Sequence, residues 1–364
     1  MDNIKLNFAE AVPKEEEKKQ EKKKPKRKIP FLILFCLLIV AFFCLGTIVL
    51  EQSTLDGFGH LSFWEGTLNI IFGRSGVLAG EYSDRINILL LGMGGEGHEG
   101  PYLTDTIILL SIEPSSHTVS LLSVPRDLYI PIDGGWNKIN AVYALSTFQK
   151  KDGGKAICSV IEDVFDIPVK YWAAIDFNSF IELIDWFGGV TIDVKEGFID
   201  YSFPGPNYSY RTVKFSPGLQ LMDGERVLEY VRSRHGNGES GSDFNRSARQ
   251  QQVLLALKEK IKQIDILDTK QIFYFYNFFT SKIKTNLTLK EATRLAKLFQ
   301  DTSSWNVRTF VLSDKNLLKP AVASNGAYIL RPRTGDFKEL SYLAKHIFDI
   351  SEEEFYQNKI SFSD

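Results

Sequence analysis

Residues 86–124 read INILLLGMGGEGHEGPYLTDTIILLSIEPSSHTVSLLSV, and the three apolar runs inside this stretch decide the fold. Ile86–Leu91, Thr106–Ile112 and Thr118–Val124 are nearly continuous in apolar residues, the pattern of strands in a sheet covered on both faces. EPSSH, at 113–117, is a turn by composition, so the second and third runs are expected to form a hairpin. Downstream, helical and strand patterns alternate. Helices are expected at Ile139–Phe148, Lys155–Phe165 and Asn178–Phe187, with strands at Tyr171–Ile175 and Val190–Val194. The pair Gly188-Gly189 closes the third of these helices. Further helices follow at Gly224–Tyr230, Asn245–Ile264, Leu289–Phe299 and Glu339–Phe348, with a strand at Val307–Leu312. The fold class is therefore α/β, a three-layer α-β-α sandwich around a central mixed sheet, without internal repeats.

The N-terminal part has a different composition. Of 364 residues, 44% are hydrophobic and the net charge is -2, an ordinary globular balance, but Lys14 to Lys28 is a Lys/Glu-rich run ending in KKKPKRK. Such a run buries nothing, and residues 1–28 are expected to be a disordered cytoplasmic tail. Ile29 to Leu50, IPFLILFCLLIVAFFCLGTIVL, carries no charge and is long enough as a helix to cross the ~30 Å of a bilayer core. It exceeds a signal h-region and shows no A-x-A cleavage pattern, so residues 29–50 are expected to be a permanent transmembrane helix. The basic run precedes the span and no Lys or Arg follows it until Arg74, which places the N-terminus in the cytoplasm and the remainder outside. The expected division continues with a juxtamembrane stalk at 51–82, with a short helix near Trp64 to Phe72, an extracytoplasmic domain at 83–350 and a C-terminal tail at 351–364. Cys36 and Cys44 lie in the span and Cys158 is alone outside it, so the outer domain holds no disulfide of its own and must rely on its core.

Chemistry-bearing residues fall at three places. GMGGEG, Gly92 to Gly97, has the spacing of a dinucleotide fingerprint, but a second strand follows it where the pyrophosphate-binding helix should start, and no P-loop Lys-Ser/Thr pair is present. Thr104-Asp105-Thr106 opens the second strand and Pro125-Arg126-Asp127 follows the third, so the hairpin brings Asp105 to Arg126 and Asp127. Two carboxylates and an arginine suit a hard cation, Mg²⁺ or Mn²⁺, next to a phosphate oxygen. The third place is Val231 to Gln252, VRSRHGNGESGSDFNRSARQQQ, where Arg232, Arg234, Arg246 and Arg249 surround a Gly-rich loop. Arg232 and Arg234 point to one side of an extended segment, and Arg246 and Gln250 share a helical face. Guanidinium forks converging in this way match a phosphate bidentately. His98 and His235 read as polar loop residues, and no Ser-His-Asp or G-x-S-x-G arrangement supports a serine nucleophile. Phe148, Phe165, Phe177, Phe180 and Phe187 are candidates to line an apolar channel or, singly, to pack in the core. The basic tail is too short to hold a folded nucleic-acid reader, and no nucleic-acid partner is expected.

The ordered blocks TDT, SVPRDLY with INAVYA, GGVTIDV, LQLMDGERVLEYVRSR and DFNRSARQQ, behind one N-terminal anchor, resemble the LytR-CpsA-Psr family of cell-wall enzymes. The resemblance covers Asn87 to Gln252 and extends to about Phe348. It implies a membrane-anchored phosphotransferase that moves a glycopolymer from its polyprenyl-pyrophosphate carrier to a peptidoglycan hydroxyl. It also implies that Asp105 is a metal ligand, that Arg126, Arg232, Arg234, Arg246 and Gln250 hold the pyrophosphate, and that Asp127 sits beside the metal or orients Arg126. Asp105, Arg126 and Asp127 are then the catalytic group. The chain departs from the family pattern twice. Gly92-Met93-Gly94 lacks the aspartate of G-x-D, and Leu103 stands where an arginine is common, which leaves Glu96, His98 or Glu99 as stand-in ligands. A hydrolase of the same carriers and a protein that binds them without turnover remain alternatives.

Overall fold

A computed structural model describes residues 77–362, apart from residue 133 and the segments 206–208, 238–240, 262–273, 275–277, 279–280 and 301–304. The expected cytoplasmic tail, the transmembrane helix at 29–50 and the first part of the stalk lie outside the described residues. No helix among the described residues is long and apolar enough to cross a membrane.

The opening stretch forms β1 (Ile86–Met93), β2 (Thr104–Glu113) and β3 (Thr118–Ser123). β2 and β3 pair antiparallel with Ile108 opposite Ser123 and Glu113 opposite Thr118. His117, at φ 52°, turns the chain in the left-handed region and donates its N–H to the Pro114 carbonyl at 3.3 Å. The chain continues through β4 (Tyr129–Ile132), β5 (Gly135–Lys138), α1 (Ala141–Phe148), α2 (Gly153–Phe165), β6 (Tyr171–Asp176), α3 (Phe177–Trp186) and β7 (Val190–Val194). Then come β8 (Phe198–Pro204), β9 (Tyr210–Phe215), β10 (Gly218–Met222), α4 (Gly224–Arg232), α5 (Asp243–Ile261), β11 (Lys284–Thr285) and α6 (Leu289–Gln300). The last elements are β12 (Asn306–Val311), β13 (Leu318–Val322), β14 (Tyr328–Pro332), α7 (Lys338–Lys345) and α8 (Glu352–Tyr356).

The central sheet has the order β11-β6-β1-β2-β3-β12. β1 runs parallel to β6 and β3 parallel to β12, while the other neighbours are antiparallel, so the sheet is mixed. Alternation along the strands divides its two faces. Leu89, Leu91, Ile107, Leu109 and Leu122 pack under α1, α2, α7 and α8, whereas Ile86, Ile88, Ile112 and Val119 pack with Leu295 of α6 on the opposite face. α2 lies very close to the sheet because Gly154 carries no side chain: a Cβ there would stand 1.9 Å from the Trp172 ring. A separate core fills the space among α3, α4, α5 and β7–β10, built from residues such as Ile184, Phe203, Val227 and Val253.

Two expected boundaries shift. Leu78 is 2% exposed and packs against β1, and Ala79 donates its N–H to the Tyr171 hydroxyl at 2.9 Å, so the end of the expected stalk belongs to the domain. The expected tail from 351 also packs: Ser351 and Glu354 form a capping box, and Phe355 is 1% exposed against Phe310. The hairpins β4–β5, β8–β9 and β13–β14 are additions to the sequence-based reading.

Candidate functional site

The β2–β3 register, continued by two positions past the Val124–Ile107 pair, sets Asp105 opposite Arg126. Arg126 Nη1 lies 2.7 Å from Asp105 Oδ1, and Asn140 Nδ2 approaches the same oxygen at 3.4 Å. The position of Asn140 is set by two backbone bonds: its carbonyl accepts from Thr104 N–H at 3.2 Å and its N–H donates to the Arg126 carbonyl at 3.3 Å. Asp127 is 7% exposed and both its oxygens are engaged, Oδ1 by Lys138 Nζ at 2.6 Å and Oδ2 by Arg126 Nε at 3.5 Å. Of the two roles expected for Asp127, this geometry supplies the orientation of Arg126; as a metal ligand it would first have to leave two cations. Asp105 keeps 35% of its side chain exposed and is the more accessible of the two carboxylates.

The arginine cluster is carried by a folded-back segment, as its composition predicts. α4 ends at Arg232, the chain extends through Ser233 to Gly236, and α5 starts at Asp243 and carries Arg246 in its first turn. A residue absent from the expected set holds this segment. Asp200, fully buried in β8, accepts from Ser233 Oγ at 2.6 Å, from the backbone N–H of Arg234 and of His235 at 3.1 Å each, and from Ser202 N–H at 3.0 Å. Burial pushes its carboxyl up, but these hydrogen bonds outweigh it and hold the group below its ordinary range. α5 is fixed to the sheet by Gln251, whose Nε2 donates to the carbonyls of Leu121 at 3.3 Å and Phe310 at 3.0 Å and to Ser123 Oγ at 2.9 Å. Gln252 bonds to Tyr230 and to the Asp193 carbonyl, and Gln250 and Gln252 are both half-buried while Gln251 is buried. Arg249 is 6% exposed, donates to the carbonyls of Tyr230 and Ser233, and lies over the Phe198 ring, so it belongs to the scaffold.

Electrostatics join the two halves. Burial raises the Asp105 carboxyl, and the Arg126 guanidinium, by charge and hydrogen bond, together with Arg234 and Arg246, brings it below the usual carboxylate range. Burial lowers Arg232, which feels Asp105 as a favourable neighbour and Arg234 and Arg211 as repulsive ones. The charges of Arg126, Arg232, Arg234 and Arg246 thus all bear on Asp105, with Arg126 in direct contact with it. Arg232 lies 4.6 Å over the Phe177 ring and 5.6 Å over Phe203. His98 meets the same Phe177 ring edge-on at 5.2 Å, and burial and Arg232 pull its imidazole below its ordinary value against the opposing pull of Asp176. A Cβ on Gly94 would stand 2.9 Å from His98 Cβ, so the histidine takes the space next to the position where a G-x-D aspartate would project.

Glu96 and Glu99 are both exposed, and among the described residues no three His, Cys, Asp or Glu side chains gather where they could hold a metal. A pre-formed protein cage for a cation does not fit this donor set. A Mg²⁺ or Mn²⁺ shared between Asp105 and phosphate oxygens does, because Mg²⁺ keeps several waters and takes one or two carboxylates plus substrate oxygens. The five aromatics proposed for a channel are not brought together. Phe165 is in the core, Phe148 is 69% exposed beside Tyr102, and Phe177, Phe180 and Phe187 border the second core.

Residues 67–346 match the family model described as LytR_cpsA_psr family. Among curated proteins, the polyisoprenyl-teichoic acid--peptidoglycan teichoic acid transferase TagV of Bacillus subtilis is 26% identical over 239 residues, 63% of this chain and 56% of the relative. TagU of Oceanobacillus iheyensis, a transferase with the same descriptive name, is 34% identical over 175 residues, 48% of this chain and 50% of the relative. The chain thus spans about half the length of the curated relatives it matches. The crystal structure of B. subtilis TagV superposes with a TM-score of 0.55 at 23% identity, over 74% of this chain and 98% of that one, a likeness of fold.

Proposed function

The chain belongs to the LytR-CpsA-Psr family, and on that premise we propose that it is a membrane-anchored phosphotransferase. In this reading it carries a glycopolymer from a polyprenyl-pyrophosphate carrier to a peptidoglycan hydroxyl. The observation that carries the reading is the Arg126–Asp105 ion pair with the charges of Arg232, Arg234 and Arg246 bearing on the same carboxylate. A pyrophosphate diester bears about two negative charges, and its transfer depends mainly on positioning and charge neutralisation. The names of the relatives support the substrate class: TagV and TagU are both called transferases of polyisoprenyl-linked teichoic acid to peptidoglycan.

Each group has a task. Arg126, held by Asp105 on one side and Asp127 on the other, is pre-oriented toward the phosphates, and Lys138 fixes Asp127 behind it. Arg234 and Arg246 complete the cradle from the other side, with Gln250 on the face of Arg246. Asp105, with the oxygens of the pyrophosphate, is the donor set for a Mg²⁺ or Mn²⁺, which when bound neutralises charge developing on the departing phosphate. The uncharged run Ile29–Leu50 serves as the anchor, with the N-terminus in the cytoplasm and the domain outside, where a lipid-held substrate is within reach.

The test uses the full-length chain in detergent, with radiolabelled polyprenyl-pyrophosphate-linked glycan, with and without peptidoglycan and with and without EDTA. Label is expected to move to peptidoglycan, and to do so only with acceptor and divalent metal present. Phosphate released at the same rate without acceptor would make the protein a hydrolase. Lipid retained without turnover under every condition would make it a binding protein.

A further inference from the structure

Beside the Asp127–Lys138 ion pair, two of the small hairpins meet around an open cavity of about 460 Å³. Tyr129 and Trp136 of β4–β5 line one side, Lys319 and Arg331 of β13–β14 the other, and Ser324 and Phe337 complete the wall. Trp136 stacks on Tyr129 with ring centroids 5.5 Å apart and planes 24° from parallel, yet the indole remains 53% exposed. The Arg331 guanidinium lies 5.3 Å from the centre of the Tyr129 ring, and Lys319 Nζ is tied to the Arg333 carbonyl at 3.0 Å. Among the described residues no carboxylate lines the cavity and none pairs with Arg331. A half-exposed aromatic platform flanked by two cations, with no acidic residue among the described residues that line it, is a poor way to stabilise a domain, but it suits a ligand with one flat apolar face and negative charge.

The cavity is joined to the proposed reaction centre through the backbone. In the β4–β5 register Tyr129 faces Lys138 and Pro131 faces Trp136, so one face of the hairpin carries the platform and the lysine that grips Asp127. The second hairpin is tied to the same segment, since Leu330 donates its N–H to the Asp127 carbonyl at 2.9 Å and Leu128 bridges to Leu330. The platform therefore begins one cross-strand pair from the Asp127–Lys138 ion pair. A transfer reaction needs its second substrate, a hydroxyl-bearing polymer, to enter beside the phosphate cradle and from the solvent side.

We infer that this cavity seats the acceptor: a glycan strand bearing carboxylates, with one sugar ring flat against the Trp136–Tyr129 stack and an acidic group between Arg331 and Lys319. The inference rests on the transfer reading, which requires an acceptor, and it names where and by what chemistry that acceptor is held. The C–H face of a pyranose matches the indole in shape and polarity, and the carboxylate matches the guanidinium fork.

The full-length protein in detergent is titrated with two probes, lysozyme-solubilised peptidoglycan fragments and a short-chain polyprenyl pyrophosphate. Both are followed by calorimetry on wild type, Trp136→Ala and Arg331→Ala. Each substitution is expected to weaken fragment binding at least tenfold, to leave polyprenyl-pyrophosphate binding within twofold, and to leave the melting temperature unchanged, because both side chains are exposed. Unchanged fragment binding in both variants overturns the inference. So does a wild-type chain that binds polyprenyl pyrophosphate but no fragments, or one that takes a single-stranded oligonucleotide on the same aromatic platform in place of a glycan. A wild-type chain that binds fragments through Trp136 and Arg331 but no polyprenyl pyrophosphate would sink the transfer reading and leave the cavity as a glycan site.

Discussion

Asp200→Asn separates the arginine cluster from the carboxylate that shapes it. In the native protein Asp200 Oδ2 meets three donors, Ser233 Oγ and the N–H groups of Arg234 and His235, while Oδ1 meets Ser202 N–H. An amide of the same shape keeps one acceptor oxygen. Turned toward the three donors, it must present its NH₂ to Ser202 N–H, so one bond is lost and three charge-assisted bonds become neutral. A hydrogen bond to a charged group is worth ~1.5–3 kcal/mol and a neutral one ~0.5–1.5 kcal/mol. Three weakened bonds cost about 3 kcal/mol and the lost one, itself charge-assisted, about 2 kcal/mol more, on the order of 5 kcal/mol in all. That is a large share of a typical ~5–15 kcal/mol of folding stability. For a domain of this size it corresponds to a fall in melting temperature of roughly 10–20 °C. The damage should be local first. Hydrogen exchange is expected to accelerate at the amides of 233–236, and polyprenyl-pyrophosphate binding by the full-length chain to weaken at least tenfold. The difference also depends on pH. The folded carboxyl of Asp200 lies below its ordinary value of 3.8, so its contribution is complete above that value and is lost as pH falls through the folded value. Wild type and variant should therefore differ most at neutral pH and converge in acid. A variant with native melting temperature, native exchange at 233–236 and native binding would refute the claim that Asp200 positions Arg234.

Four further outcomes are expected. Arg234→Ala should weaken polyprenyl-pyrophosphate binding about 30-fold or more, the scale of losing one buried charge contact of ~2 kcal/mol, with little change in melting temperature. Arg246→Ala, by contrast, should lower both binding and melting temperature, because Arg246 is only 3% exposed; a pair of unchanged affinities would remove the cluster from the site. Gly154→Ala should cost ~3 kcal/mol or more in thermal unfolding, since its Cβ would meet the rigid Trp172 ring, and a melt equal to wild type would show that α2 sits farther from the sheet. Cys158 is buried and its thiol is pushed up to about 12, so mass spectrometry after iodoacetamide treatment should find its peptide unmodified in the native protein and labelled in urea.

How much of this was readable beforehand depended on sequence distance. The hairpin and its Asp105–Arg126 rung followed from two apolar runs and a five-residue turn, all local signals. The arginine cluster could be read from its density alone. Asp200 left no such mark, because one acidic residue in an alternating strand looks like any solvent-facing position until the chain folds back over it. Lys138 was missed for the same reason: its partner Asp127 is reached only through the β4–β5 turn at Gly134-Gly135, a signal that was present and unused. Glu96 and Glu99 stand exposed on a Gly-rich loop, whose sequence fixes no direction for either side chain. The tail at 351–364 and the end of the stalk were assigned by polarity, which single buried anchors such as Phe355 and Leu78 override.

The rung between Asp105 and Arg126 closes a loop with a separation of only 21 residues, whereas Gln251 reaches Ser123 across 128. Loop-closure entropy makes the second contact about 1.6 kcal/mol harder to form than the first. The two halves of the cradle are thus unequal partners during folding: one zips up with its own hairpin, the other arrives with a helix from far along the chain. A polyanion gripped from both sides acts as a non-covalent cross-link across that long span. It favours the assembled state by mass action alone, so a domain carrying its cargo should resist heat and proteolysis better than the same domain empty.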